Sequence, residues 1–173
     1  MFRHWGERFH LCLTVFHGCV LAILSKRVYF PVNVNRMPRR TMRRSEEARR
    51  WFSEAEWDLE SARILHESKR HNSSAFLCQQ AAEKCAKALL YSVGESPFGH
   101  SVLELIERFA VASGNDISEL KPLAAELDRH YIPARYPNAM PSGSPHEYYD
   151  QEVSQRTLEY STRILSYARR QLG

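Results

Sequence analysis

At 173 residues the chain is long enough for one domain with a real core, plus an appendage. Its formal charge of +4 is unevenly placed, because residues 1–41 hold seven Lys/Arg against one acid while the rest holds 17 against 19, a balance of −2. A near-neutral body excludes a broad phosphate-binding face and leaves any nucleic-acid contact local. Cysteine usage points the same way, away from special chemistry: Cys78 and Cys85 lie two turns apart on one predicted helix, and no Cys-x-x-Cys or His/Cys cluster has zinc spacing. Reduced, buried thiols, a cytoplasmic location and no metal or cofactor are the expectation.

In chain order, residues 9–24 form an apolar run behind Arg3 and Arg8. It is short for a membrane span, His17 interrupts it, and no small-x-small cleavage site precedes Ser25-Lys26-Arg27, so no membrane association is expected. Residues 1–41 are read as an N-terminal extension, disordered or produced by a mis-assigned start, with Met42 or Met37 as the first residue; residues 42–173 form the domain. A long helix is predicted from Ser45 to about Arg70, with Trp51, Phe52, Ala55, Leu59, Ala62 and Leu65 as its buried stripe. Trp57 and Ile64 fall away from that stripe and form a candidate partner surface.

The central element is predicted over residues 73–93, where Ala75, Cys78, Ala82, Cys85, Ala86, Leu89 and Val93 recur at helical steps. This small-residue face lets another helix approach closely, and Gly94 suits a left-handed C-terminal cap. A third helix opens at His100 and ends at Gly114, and a fourth is predicted from about Ile117 to His130 behind an Asp116/Glu119 capping box. Pro133, Pro137, Pro141 and Pro145 make residues 132–145 a loop, after which Ser144-Pro145-x-Glu147 reads as the start of a final helix. No strand pattern stands out. The fold class expected is all-α, an up-and-down antiparallel bundle of about five helices.

Two stretches carry a resemblance. Gln79-Gln80-Ala81-Ala82-Glu83-Lys84-Cys85-Ala86-Lys87-Ala88-Leu89-Leu90 and Tyr131-Ile132-Pro133-Ala134-Arg135-Tyr136-Pro137 closely resemble the two signature segments of the HEPN (higher eukaryotes and prokaryotes nucleotide-binding) family. Trp51-Phe52-x-x-Ala55-x-x-Asp58-Leu59-x-x-Ala62 and Gly99-His100-x-x-x-x-Leu105 are also similar to that family's pattern, so the resemblance covers residues 45–170. It implies a helical bundle, often dimeric, similar to the substrate-binding subunit of nucleotidyltransferases and often acting beside a minimal nucleotidyltransferase in a toxin–antitoxin setting. Some members are RNA-cleaving toxins with Arg, four to six residues, then His. No His follows Arg135 at that spacing, and His146 lies ten intervening residues on.

From the residues themselves, Arg135 offers a planar cation that can hold a phosphate through two parallel hydrogen bonds, with Tyr131 and Tyr136 to stack on a base. An equally good assignment has Arg135 capping a helix end or pairing with Glu83. Lys84, Lys87 and His100 complete the candidate nucleotide-binding set, against their alternative as solvated helix charges and a polar first-turn residue. The leading expectation is therefore a nucleotide-binding or interaction module, not itself an enzyme. The alternatives are a metal-independent endoribonuclease using Arg135 with His146 or His130, and a structural adaptor that docks a protein through Trp57 and Ile64.

Overall fold

The computed structural model describes residues 14–16, 19–21 and 39–173, with side chains from residue 43. It divides into two units, residues 1–39 and 40–173. In the first, β1 (Thr14–Phe16) pairs antiparallel with β2 (Cys19–Leu21), Val15 opposite Val20. This hairpin corrects the strand-free reading. Thr14, Val15, Phe16 and Val20 are β-branched or aromatic, and a three-residue strand is too short to show a period. The expected start at Met37 or Met42 concerns residues that lie, apart from the hairpin and residues 39–42 of the first helix, outside those described.

The second unit is all helical: α1 (Arg39–Glu67), α2 (His71–Ser92), α3 (Val102–Ser113), α4 (Lys121–Asp128), the one-turn α5 (Pro145–Tyr148) and α6 (Gln151–Leu172). None of these helices is long and apolar enough to cross a membrane. Helix α2 is the axis of the core. Ala75, Cys78, Ala81, Ala82, Cys85, Ala86, Ala88, Leu89 and Leu90 are fully enclosed, although Val93, the last member of the predicted face, is exposed. Small side chains let backbones close in: the Cys85 thiol reaches the Ile164 carbonyl of α6 at 3.8 Å, and Ser74 Oγ donates to the Ala62 carbonyl of α1 at 2.8 Å. Leu105, Ile106 and Phe109 of α3, Leu123 and Leu127 of α4, and Ile164 and Leu165 of α6 fill the remaining core.

Helices α2 and α3 start two residues from expectation, at His71 and Val102, and three other starts differ by more. Helix α1 begins at Arg39 rather than Ser45, because Arg and Met ahead of Ser45 are good helix formers. Asp116 accepts from Ser118 N at 2.8 Å in a local turn, so α4 starts only at Lys121, where Pro122 fits the first helical turn. The predicted helix start at Ser144 forms, with Glu147 completing a capping box, but it opens the one-turn α5; Asp150 then re-caps the chain by accepting from Val153 N at 2.8 Å and starts α6.

Asp128, the last residue of α4, ties the next part of the frame together. Its carboxylate accepts from Ser101 Oγ and Val102 N, each at 2.6 Å, and from Leu103 N at 3.2 Å, so one side chain caps the start of α3. Gly99 precedes that start with φ +90°, a left-handed turn open to glycine. His100 is thereby set between a fixed turn and a fixed cap.

Candidate functional site

Past α4 the chain turns through residues 129–135, and Asn72 in the first turn of α2 donates to the Ala134 carbonyl at 3.0 Å, fastening this turn to the bundle. Arg135 Nε donates to the Tyr131 carbonyl at 2.8 Å. Its guanidinium carbon lies 4.5 Å from the ring centre of Phe76, 4.6 Å from Tyr131 and 4.9 Å from Tyr136. Three aromatic rings thus hold the cation while Nε anchors it, and neither terminal nitrogen has a hydrogen-bond partner among the described residues. That is a guanidinium fork fixed in place with its outer edge unused.

The Tyr131 ring also stacks on His100, 5.0 Å between centres and 15° from parallel. His100 Nδ1 lies 3.2 Å from Glu83 Oε1. Glu83 is enclosed by donors: Lys87 Nζ at 2.7 Å, and the side-chain amides of Gln79 and Gln80, each at 3.4 Å. Gln79 also donates to the His100 carbonyl at 3.0 Å. The Glu83 side chain is 6% exposed and Lys87 12%, whereas the His100 ring is 61% exposed. A buried carboxylate therefore orients a surface imidazole, which leans on the tyrosine that also cradles Arg135.

Of the sequence candidates, Arg135, Tyr131, Tyr136 and His100 come together, with Lys87 one contact removed behind Glu83. Glu83 does not pair with Arg135. Lys84 turns to α1 instead, 2.6 Å from Asp58 and 3.4 Å from Glu54. His130 is buried, bonded through Nδ1 to the Tyr149 hydroxyl at 3.0 Å, and burial lowers its pKa from the ordinary value against the opposing pull of Glu126. The same burial, reinforced by Glu126, pushes the Tyr149 phenol up to about 12. His146 stands exposed on α5. Trp57 and Ile64 are 72% and 56% exposed on α1. A 630 Å³ hollow lined by Trp51, Arg50 and Lys84 involves none of the Arg135 group; the convergence of charge and rings, rather than volume, places the site.

Sequence reasoning missed three things. Phe76, one turn into α2, belongs to the Arg135 cage, and nothing in its local sequence signals that contact. The Glu83–His100 contact spans 17 residues and has no local signal beyond the glycine before His100. His66 and His71 each bring Nδ1 to 2.8 Å from the enclosed Ser154 hydroxyl, a cluster that only tertiary packing assembles.

Residues 40–173 are thus an all-helical bundle that carries a loop arginine clamped by aromatic rings. The chain belongs to the HEPN family: the HEPN domain model matches residues 48–171. Among solved structures it is similar to TT1696 from Thermus thermophilus, at 30% identity over 72% of this chain and 97% of that one, with a TM-score of 0.69. ST0689, an archaeal HEPN homologue, is 32% identical over 73% of this chain and 98% of its own, with a TM-score of 0.63. A HEPN domain protein of Thermotoga maritima, tm0613, is 30% identical over 71% and 97%, with a TM-score of 0.58. No curated protein matches the chain.

Proposed function

We propose that this protein is a cytoplasmic nucleotide-binding or interaction module whose site is the Arg135 stack. The observation that carries this reading is the clamped guanidinium: Phe76, Tyr131 and Tyr136 fix its plane, Nε is spent on the Tyr131 carbonyl, and both terminal nitrogens remain to take a phosphate side-on. Tyr136, half exposed, offers a stacking face for a base. The finer part of the reading is that the module works as a homodimer beside a minimal nucleotidyltransferase, in a toxin–antitoxin type of pair, with Trp57 and Ile64 on the protein-docking side. The family's resemblance to nucleotidyltransferase substrate-binding subunits supports that pairing. Calorimetric titration of the full chain with adenosine monophosphate tests the site: binding that falls at least about tenfold in Arg135→Ala, as expected for a lost charge-assisted contact, supports it. Equal affinity in wild type and variant overturns it.

A second reading is favoured by the Glu83–His100 contact. Metal-free cleavage of RNA needs a proton acceptor for the 2′-hydroxyl and a cation for the phosphate charge that develops as the 2′-oxygen attacks phosphorus and the 5′-oxygen leaves. His100, oriented by Glu83 and stacked on the ring that holds Arg135, meets the first need better than His146 or His130, neither of which shares a contact with the stack. Incubating a metal-free preparation with labelled RNA separates the readings. Cleavage lost in both Arg135→Ala and His100→Phe establishes the nuclease; binding without cleavage establishes the module.

A further inference from the structure

Helix α3 turns one side away from the core. Glu104 precedes Arg108 by four residues, and Val111 and Ala112 follow it by three and four, so all four share that side. With Glu95 and Phe98 of the preceding turn they line a 610 Å³ hollow on the surface. Phe98 and Val111 are 74% and 88% exposed, more than any other large apolar side chain among the described residues. Yet the Phe98 ring is held in place. The Arg108 guanidinium carbon lies 4.1 Å from its centre, and Arg108 Nη2 donates to the Ser96 carbonyl at 3.0 Å, which fixes the turn that carries the ring. An aromatic ring pinned in this way loses little freedom on contact, the property of an anchor at a protein interface.

The charges around the ring decide what it meets. Glu107 is paired with Lys121 at 2.9 Å, but the side chains of Glu95 and Glu104 have no partner among the described residues. With Nη2 bonded and Nη1 enclosed, Arg108 offers neither terminal nitrogen to an incoming acid. The two open carboxylates therefore repel nucleic acid and anionic lipid headgroups and attract cations. They stand on different elements and share their hollow with Phe98, Val111 and Ala112, so a fitting ligand carries more than one cation together with an apolar side chain. We infer that this face docks a basic, amphipathic segment of another protein, with an apolar side chain seated against Phe98 and Val111 and Lys or Arg side chains meeting Glu95 and Glu104. The surface shares no residue with the Arg135 group or with Trp57 and Ile64, so it stands whether or not a nucleotide binds.

The test is fluorescence anisotropy on the full chain with a labelled amphipathic peptide of leucine and lysine at helical spacing, beside one with glutamate for lysine and one with serine for leucine. The leucine-lysine peptide should bind and each control should bind at least about tenfold more weakly; Phe98→Ala should weaken binding by about tenfold or more, as truncating an anchor ring does. Val111→Ser repeats the test without touching Arg108, and melting curves run alongside check that both variants keep the bundle. Glu95→Lys combined with Glu104→Lys should turn the preference to the leucine-glutamate peptide. The inference is overturned if the leucine-lysine peptide does not bind, if the serine peptide binds as tightly, or if binding persists in both Phe98→Ala and Val111→Ser. Binding lost in Trp57→Ala instead overturns it too, since the peptide then sits on α1. Sedimentation velocity covers the remaining occupant: self-association that Val111→Ser abolishes would assign this face to a second copy of the chain and overturn the inference as well.

Discussion

Glu83→Gln isolates the charge that the site is built around. The substitution keeps the shape of the side chain and one carbonyl acceptor, yet leaves the Lys87 ammonium, 12% exposed and 2.7 Å away, without its counter-charge. Removing one partner of a buried ion pair costs about 3–5 kcal/mol, and the lower end applies here because Lys87 retains some access to water and lies 5.3 Å from the Trp51 ring centre. A loss of about 3 kcal/mol should lower the melting temperature by roughly 6–12 °C for a chain of this size. Urea denaturation followed by far-ultraviolet circular dichroism gives the free energy directly. Adding Lys87→Met removes the stranded charge and should recover most of the loss, because a well-packed apolar replacement of a buried pair is close to neutral. Refutation is equally direct: a Glu83→Gln protein within about 0.5 kcal/mol of wild type, or a double variant no more stable than the single one, would show that Lys87 is solvated and that Glu83 is not the hub.

Three further outcomes are expected. Arg135→Ala should cost about 2 kcal/mol in urea melts as well as weakening nucleotide binding, since it removes the bond to the Tyr131 carbonyl and three ring contacts; a stability unchanged from wild type would mean that the cage contributes nothing to the fold. Asp128→Ala should cost about 2 kcal/mol and raise amide exchange at Val102 and Leu103, because their N–H groups lose their acceptor at the start of α3. Burial lowers the His130 pKa below its ordinary 6.5, so the unfolded chain binds the proton first as pH falls. The stability this group contributes is then present above about pH 6.5 and lost as pH drops through the folded value, and His130→Gln should give a flatter stability profile over that range in pH-dependent melts.

The bundle was legible because its rules are local. Steps of three and four along α2 announce a buried face, and Gly114, with φ +75°, ends α3 where the sequence placed it. Helix starts were less legible where two caps compete: Asp116 and Ser144 both looked like openings of long helices, and in each case a downstream residue, Pro122 or Asp150, sets the true start. The site was legible in its members and not in its contacts. Arg135 and its two tyrosines stand within six residues, so spacing found them, but Phe76 and His100 arrive from α2 and from the turn before α3. Lys84 and Lys87 show the limit plainly, since three residues on one helix separate a side chain bound to α1 from one that supports the site.

The closeness of α2 to its neighbours has a consequence for measurement. Cys78 and Cys85 are enclosed, and burial pushes the Cys78 thiol up to about 12 and the Cys85 thiol higher, so neither reacts while the helices are seated. Each becomes a nucleophile only when α2 parts from the helices packed over it. The rate at which a thiol reagent consumes them is then a clock for that parting, wound into the core by the same small side chains that bring the helices together.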